Sequence, residues 1–420
     1  MFRYSAFALA RYAFAGPEAW PRAWRSAEPK PSYDAIIIGG GGHGLATAFY
    51  LAANHGMTNV AVLEKGAIGQ GNVGRNTTIV RSDYMIDGNT QFFEHSLKLW
   101  ESLSHTLNFN VMYSPRGKVA LFHDPVGMDL AARRGNIMRL NGIDAELLDR
   151  GQVQRLLPYL DYSAQARFPV YGALLQQRAG TARHDAVAWG YARAASGLGA
   201  DIIENCEVRG ILRDGTGKVT GVETSRGRVL SSKIAIAVAG HSSHVAAMAG
   251  LRLPVESHVL QAFVSEPIKP LVHHVVTSGA ADLFYVSQSD KGGLVFGGHI
   301  DGHNTYAQRG HLPAIKTVAE SLISLIPSAS RLRLLRHWGG IMDMTPDGSP
   351  FICRTPVSGL YLNGGWCYQG FKATPASGWC FAHTIANDEE HELNRCYGLD
   401  RFEAGRELDE FGIGNWTYKQ

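Results

Sequence analysis

The strongest constraint in the sequence is an uncharged stretch, residues 35–53, that contains five glycines. Its length without a formal charge is close to what a membrane-spanning helix needs. The glycines between residues 39 and 44, however, separate a short apolar segment, YDAIIIG, from a helical pattern, LATAFYLAANHG. We therefore predict a buried strand, a tight turn and a buried helix, and no membrane span here or elsewhere in the chain.

These glycines have the spacing of a dinucleotide-binding turn. In Gly39-x-Gly41-x-x-Gly44 the first glycine permits the tight turn, the second lets a pyrophosphate approach the backbone, and the third allows the helix to pack closely on the strand. Glu64 ends a second apolar strand pattern, NVAVLE, where a carboxylate accepts hydrogen bonds from ribose hydroxyls. Strand, turn, helix and acid together predict a dinucleotide site.

The glycine motif alone does not separate FAD from NAD. A polar glycine-rich stretch, GAIGQGNVGRNTTIVRS, follows the second strand, and the apolar strand pattern at 234–239 returns only about 170 residues later. Such an interruption is typical of FAD oxidoreductases, whereas NAD dehydrogenases usually keep the nucleotide fold contiguous. We predict a mixed α/β chain in which a glutathione-reductase-type, Rossmann-like FAD domain is interleaved with an antiparallel-sheet substrate domain.

Other segments have simpler patterns. ARRGNIMRLNGIDAELLDRGQVQRLLP predicts helix, turn and helix, and residues 201–240 predict a β-meander. A strand-rich region at 254–300 precedes a helix near 313–326, and residues 333–387 predict a strand, a glycine-rich loop and a helix from about Thr374.

Charge and cysteine content exclude several classes of protein. With 40 basic and 37 acidic residues, the chain is not a cationic nucleic-acid binder. Its five cysteines are odd in number and never spaced C-x-x-C, so we predict no disulfide framework and no metal site. A reducing compartment, the cytoplasm, fits this best.

The first 30 residues form a basic, aromatic-rich arm with five Lys or Arg and two Glu. Packing against another surface is favoured over an organellar presequence, and a secretory signal is disfavoured because Arg11 interrupts the apolar run. We expect the arm to dock on a partner, so that deletion of residues 1–28 weakens assembly and spares FAD binding.

Many blocks together resemble one family, the β subunits of heterotetrameric sarcosine oxidases in the D-amino-acid-oxidase-like flavoprotein superfamily. They run in order from about Lys30 to near the C-terminus: GGGGHGLATAFYLA, NVAVLEKG, GNVGRNTTIVRS, GTARHDAVAWGYARAA, DIIENCEV, LPVESHVLQAFVSEP, YVSQSDKGGLVFGG, RHWGGIMDMTPDGSP and GWCYQGFKATPASGWCFAH.

The resemblance implies oxidation of sarcosine at a non-covalent FAD. Electrons would pass to a covalent FMN and then to oxygen, giving hydrogen peroxide. Glycine and 5,10-methylenetetrahydrofolate would form, or formaldehyde without folate. Partners would be the α, γ and δ subunits. The implied domains are an arm (1–31), an FAD domain (32–82, 181–253, 341–400), a substrate and FMN-interface domain (83–180, 254–340) and a C-terminal tail (401–420).

The same resemblance indicates roles for four side chains. Arg81 and Lys372 would hold the substrate carboxylate, a small anion that an Arg fork and a Lys point charge can orient. His184 would carry the FMN through its 8α-methyl group, since a neutral imidazole nitrogen is a suitable nucleophile, and Asp185 would orient the ring.

Further residues are implied as contacts of the flavins. Arg75 would neutralise an FMN phosphate or a reduced flavin, and Val208 would contact adenine. The complete set of flavin-binding candidates is Gly39, Gly41, Gly42, His43, Gly44, Glu64, Lys65, Asn72, Arg75, Asn76, Thr77, Thr78, Ile79, Val208, Ala239, Gly240, Gly365, Gly370 and Lys372.

Three positions refine the resemblance. Gln369 stands where many relatives have glycine, which questions the conformation of the loop 364–370. Cys367 is expected to pack rather than react. Val295 stands where monomeric sarcosine oxidases have an oxygen-activating lysine, so we expect the reduced FAD to react slowly with oxygen.

Two alternatives stay open. One is a related flavin enzyme for another N-methyl or cyclic imino acid, such as dimethylglycine. The other is a non-catalytic flavin-binding assembly subunit, which is disfavoured because Arg81, Lys372 and His184 are all present.

Overall fold

The computed structural model describes residues 5–20, 22–281 and 283–410. The α-helices are α1 Ala6–Ala15, α2 Gly42–His55, α3 Asn89–Thr106, α4 Pro125–Leu140, α5 Arg150–Leu156, α6 His184–Gly197, α7 Ser242–Ala247, α8 Leu312–Leu325 and α9 Gly370–Asn387. Short 3-10 helices are Pro17–Ala19, Val73–Arg75, Ala239–His241, Pro327–Arg331, Arg395–Tyr397 and Leu399–Arg401.

The strands are β1 Ala35–Ile38, β2 Val60–Leu63, β3 Ile79–Val80, β4 Lys118–Phe122, β5 Glu146–Asp149, β6 Gly172–Gln176, β7 Gly180–Thr181, β8 Asp201–Ile203, β9 Val208–Arg213, β10 Val219–Thr224, β11 Gly227–Leu230, β12 Ile234–Ile236, β13 Glu256–Pro267, β14 Val275–Ser278, β15 Phe284–Gln288, β16 Gly293–Ile300, β17 Leu334–Met344, β18 Phe351–Arg354 and β19 Leu360–Gly364.

A six-stranded sheet has the order β18-β19-β12-β1-β2-β8 and is parallel except for β18. Its strands β1, β2 and β12 are apolar throughout because both faces of the sheet are covered. Successive residues point to opposite faces: Ile37 packs in the cluster that contains α2, α6 and α9, while Ile36 and Ile38 pack against the meander β9–β11. The predicted meander and the predicted strand–turn–helix are therefore two parts of one layered unit.

An eight-stranded sheet has the order β17-β13-β16-β15-β14-β4-β6-β5 and is antiparallel except for the pair β14 and β4. Helix α8 covers it, with Val318, Leu322 and Leu325 packed in a cluster with Phe263 and Phe296. The chain leaves this sheet at the end of β17 and enters the six-stranded sheet at β18. These two sheets confirm the predicted mixed α/β class.

Some predicted elements differ from the observed ones. The helix expected near 313–326 is α8, but the segment expected as helix, turn and helix contains the edge strand β5 before its second helix. Leu148 pairs with Ala173 of β6, a long-range contact that a local pattern does not show. Helix α9 begins at Gly370 instead of about Thr374, and Pro375 lies inside the helix. Helix α3 falls in the predicted substrate domain but packs against α9.

The N-terminal arm has two parts. The side chains of Phe7 and Phe14 in α1 are 89% and 93% exposed. The later part lies on the chain itself, since Arg25 donates to the carbonyl of Gly199 at 2.8 Å and Lys30 pairs with Asp201 at 2.8 Å. Within the described residues, no helix combines the length and apolarity that a membrane crossing requires.

Candidate functional site

A cavity of about 1970 Å³ is lined by residues of both large sheets. It brings together most of the predicted site residues from distant parts of the chain. Gly44, Thr78, Gly240 and Gly365 do not line it. Those that do are Gly39, Gly41, Gly42, His43, Glu64, Lys65, Asn72, Arg75, Asn76, Thr77, Ile79, Arg81, His184, Val208, Ala239, Gly370 and Lys372.

The glycine turn has the geometry that its spacing predicts. Gly39 has a φ of +111°, which favours glycine, and a Cβ on Gly44 would lie 2.1 Å from the Gly39 carbonyl oxygen. A Cβ on Gly41, in contrast, would meet nothing within 4 Å. Gly41 lines the cavity immediately before α2, so the backbone at the helix N-terminus is open to an anionic group such as a pyrophosphate.

Glu64 is held by the backbone around it. Its carboxylate accepts hydrogen bonds from the amide nitrogens of Gly40 and Gly66, each at 2.9 Å. Each carboxylate oxygen has a second lone pair, and the side chain lines the cavity, so Glu64 can still accept from a ribose.

Trp24 from the arm forms part of the cavity wall. Its indole Nε1 donates to Glu204 at 3.3 Å, and its ring packs against the core that contains α2 and α6. The later part of the arm therefore belongs to the proposed nucleotide pocket. Deletion of residues 1–28 would remove this wall residue, and that the deletion spares FAD binding stays a prediction.

Arg81 and Lys372, far apart in sequence, line the same cavity with a third cation, Lys118 of β4. The Asp83 carboxylate joins two of them: Arg81 donates to Oδ1, and the Lys118 ammonium lies 2.5 Å from Oδ2. Lys372 donates to the carbonyl of Tyr368 at 2.9 Å. All three side chains are nearly buried, so solvent screens charges on this wall of the cavity only weakly.

Burial and mutual contacts shift the pKa values of this cluster. Burial alone would raise the pKa of Asp83, but Arg81 and Lys118 hold it well below its usual range. Burial lowers the pKa of Lys118 to about 8, against the opposing effect of Asp83. Burial, and then repulsion from Arg81, lowers the pKa of Lys372 well below its usual value. An incoming carboxylate favours the charged form of both lysines.

In the loop before α9, the residues with a positive φ are not the one that the sequence analysis questioned, Gln369. Gly365 and Cys367 have φ values of +71° and +51°, whereas Gln369 has a φ of −103° and is in the ordinary helical region. Gln369 therefore needs no glycine-like freedom, and its side chain donates to the Gly348 carbonyl at 2.5 Å. Burial raises the pKa of the Cys367 thiol to about 12, so it stays protonated and unreactive.

Asp343 is a buried carboxyl on the cavity wall beside this loop. It accepts a hydrogen bond from the Gly365 amide at 2.6 Å. Burial raises its pKa to about 6, which makes Asp343 a titratable group near neutral pH inside the cavity.

Two residues of the loop 72–78 hold that loop in place. Asn72 makes hydrogen bonds to both the carbonyl (2.5 Å) and the amide (3.1 Å) of Ile341 on β17. Arg75 donates to backbone carbonyls of its own loop, including Gly71 at 3.1 Å, and to Gln308 at 2.8 Å. Both side chains line the cavity, so any flavin contact they make is additional to this structural role.

His184 is the first residue of α6 and lines the cavity. Burial lowers the pKa of its imidazole, and this keeps the ring neutral. The Asp185 carboxylate accepts hydrogen bonds from Arg183 at 2.8 Å and from the Ala186 amide at 2.8 Å. That Asp185 orients the His184 ring stays a prediction.

Comparisons with known proteins agree with this geometry. A family model described as FAD dependent oxidoreductase matches residues 34–384. Sarcosine oxidase subunit beta from Rhizobium meliloti is 61% identical over 412 residues, 98% of each chain, and the subunit of the same name from Rhodobacter capsulatus is 50% identical over 410 residues, again 98% of each. The chain belongs to the sarcosine oxidase β subunit family of FAD-dependent oxidoreductases. FAD is therefore the dinucleotide of the family, and the predicted FAD-binding fold is confirmed.

A solved structure of L-proline dehydrogenase from P. horikoshii is similar to the whole fold. Its TM-score is 0.84 at 28% identity, over 90% of this chain and 99% of that one. The architecture with two large sheets is therefore shared with this L-proline dehydrogenase.

Four residues of the site were missed by sequence reasoning: Trp24, Asp83, Lys118 and Asp343. Asp83 had a detectable signal, since it lies two residues after Arg81 in a short polar segment. Lys118 and Asp343 lie on strands of the eight-stranded sheet, and no local pattern relates them to Arg81 or to the loop before α9.

We expect Trp24→Ala to weaken FAD binding by about tenfold, because it removes one aromatic wall of the pocket, an effect of roughly 1–1.5 kcal/mol. Titration of the apoprotein with FAD, followed by flavin fluorescence, measures this. Trp20→Ala is the matched control, since Trp20 is 45% exposed in the same arm. Equal affinities of the two variants would show that Trp24 has no role in the pocket.

Proposed function

We propose that this chain is the β subunit of a cytoplasmic heterotetrameric sarcosine oxidase, assembled with α, γ and δ subunits. The observation that supports it best is the buried cation wall formed by Arg81, Lys372 and Lys118 in a cavity whose glycine turn fits FAD. The full-length identity of 50–61% to sarcosine oxidase β subunits supports the substrate.

Sarcosine carries one carboxylate and a secondary amine. The Arg81 guanidinium and the Lys372 ammonium bind the carboxylate by charge-assisted hydrogen bonds, which orient the small molecule where apolar contact is scarce. The same cations disfavour a protonated amine nearby, so the amine is bound in its neutral, oxidisable form. No strong base among the side chains is needed for this task.

When bound, FAD in this cavity and an FMN joined through its 8α position to His184 would supply the redox chemistry, namely removal of a hydride from the N-methyl carbon of sarcosine and reduction of oxygen to hydrogen peroxide. The oxidised substrate yields glycine and 5,10-methylenetetrahydrofolate, or formaldehyde without folate. Val295 leaves an apolar side chain on the cavity wall, which favours transfer between flavins over direct reaction with oxygen.

His184 is suited to the covalent link. Its neutral ring has a lone pair for attack on an electrophilic flavin methyl group, and the ring lies on the cavity wall at the start of α6.

Mass spectrometry of the denatured chain tests the proposal. After co-expression with the partner subunits, we expect an adduct of FMN size on the wild-type chain and on His241→Ala, another histidine of the cavity wall, and none on His184→Ala. A wild-type chain without the adduct would reduce the proposal to a general FAD-dependent amine oxidoreductase. Turnover of sarcosine against dimethylglycine distinguishes the two N-methyl substrates.

A further inference from the structure

The cavity extends beyond the proposed sarcosine site along β4. Lys118, Ala120, Leu121 and Phe122 of this strand all line the cavity, and Lys118 and Ala120 share a face because they are two residues apart. Its wall continues to Ser278 at the end of β14 and to Leu130 on α4, which is 41% exposed. The small side chain of Ala120 leaves room next to Lys118, so there is space for a ligand larger than sarcosine.

Lys118 is a buried cation with unused hydrogen-bonding capacity. Its side chain is 6% exposed, and an ammonium has three donors. Among the described residues, Asp83 is the acceptor of its side-chain hydrogen bond, at 2.5 Å. Since a buried ammonium is costly unless it is paired, the remaining donors on the cavity wall favour a further anion.

The charges around Lys118 also favour a further anion at this position. Asp83 is shared between Arg81 and Lys118, and the neighbouring cations Arg134 and Lys372 also line the cavity. The nearby Glu410 carboxylate is directed to backbone amides at Met85 and Ile86 instead. One sarcosine carboxylate does not neutralise this wall.

We propose that Lys118 binds a second substrate carboxylate, so that the site accepts N-substituted amino acids with two carboxylates, the class to which iminodiacetate belongs. This inference rests on the proposed function, in which Arg81 and Lys372 hold the first carboxylate. Lys118 then determines substrate specificity, because it lies next to the residues that bind the sarcosine carboxylate.

Non-reacting acids test this on the flavin-loaded complex. The probes are two pairs of acids, propionate with succinate and butyrate with glutarate. Within each pair the second acid has one more carboxylate. Their dissociation constants are measured from changes in flavin absorbance at constant ionic strength. We expect the better dicarboxylate to bind at least tenfold more tightly than its partner. Lys118→Met should reduce that ratio below threefold, and Lys118→Arg should keep most of it. Lys316→Met, at a lysine with a 76% exposed side chain, should keep the wild-type ratio.

Equal binding of mono- and dicarboxylates by the wild type overturns the proposal, as does an unchanged ratio in Lys118→Met. If Lys118→Met does not fold, the ratio of monocarboxylate to dicarboxylate dissociation constants in the wild type and in Lys118→Arg still tests the proposal. The titration requires no turnover, so it is independent of whether sarcosine is oxidised. A chain that binds dicarboxylates selectively and does not oxidise sarcosine refutes the proposed function and leaves this inference intact.

Discussion

Arg81→Met is expected to lower kcat/KM for sarcosine by about 100- to 1000-fold, because truncating one partner of a buried, hydrogen-bonded charge pair costs about 2–5 kcal/mol. The guanidinium is 11% exposed, so solvent does not replace it. The variant loses the proposed carboxylate fork and leaves Asp83 with Lys118 as its cation.

A conservative variant and a control variant distinguish the loss of the guanidinium fork from the loss of positive charge in general. Arg81→Lys keeps the charge without the fork and should recover about tenfold of the loss. Arg228→Met removes an arginine from an exposed surface pair with Glu223 and should change kcat/KM by less than twofold. Steady-state kinetics with matched flavin content measures all three. Arg81→Met with activity within threefold of wild type would exclude Arg81 from carboxylate binding.

Arg401→Met is expected to destabilise the fold by about 3–5 kcal/mol, the cost of leaving a buried charge without its partner. The side chains of Arg401 and Asp347 are 1% and 0% exposed, and the guanidinium donates to both carboxylate oxygens at 2.7 and 2.8 Å. It also donates to the carbonyls of Ser349 and Pro350. The pair thus joins the C-terminal segment to the turn that connects the two large sheets.

The pH dependence gives this prediction a second readout. Burial would raise the pKa of Asp347, but hydrogen bonds and charge from Arg401 lower it below its usual value. In the wild type that stabilisation is present above the unfolded pKa of about 3.9 and is lost as the pH falls through the lower folded pKa. Without Arg401 the buried Asp347 carboxyl is easier to protonate. The loss of unfolding free energy in Arg401→Met should therefore be largest at neutral pH and become smaller toward pH 4.

Denaturant unfolding of the flavin-loaded chain measures the difference. Arg406→Met is the matched control on the same segment, because Arg406 and Asp400 form an exposed pair, and its effect should stay within about 0.5 kcal/mol. A deficit below 1 kcal/mol for Arg401→Met, or one that does not depend on pH, would contradict this account.

The site was only partly accessible from sequence. His184 and the cation pair Arg81 and Lys372 were singled out through family resemblance, and the structure brings all three to one cavity. For Asp185 the structure shows two partners that the resemblance did not indicate, Arg183 and the Ala186 amide, and its expected role at His184 stays a prediction. The doubt about Gln369 disappears because the positive φ values lie at other loop positions.

The sequence by itself determined the glycine turn and its surrounding strand and helix, because the steric and hydrogen-bonding requirements of that unit are local. Only the tertiary structure decided which charges share the cavity. Lys118, Asp83 and Arg81 meet because the eight-stranded sheet brings β4 beside the segment after β3, and Trp24 reaches the nucleotide pocket because the arm folds back on the body. Such contacts depend on sheet order and burial, which set both the neighbours of a charge and the energetic cost of leaving it unpaired.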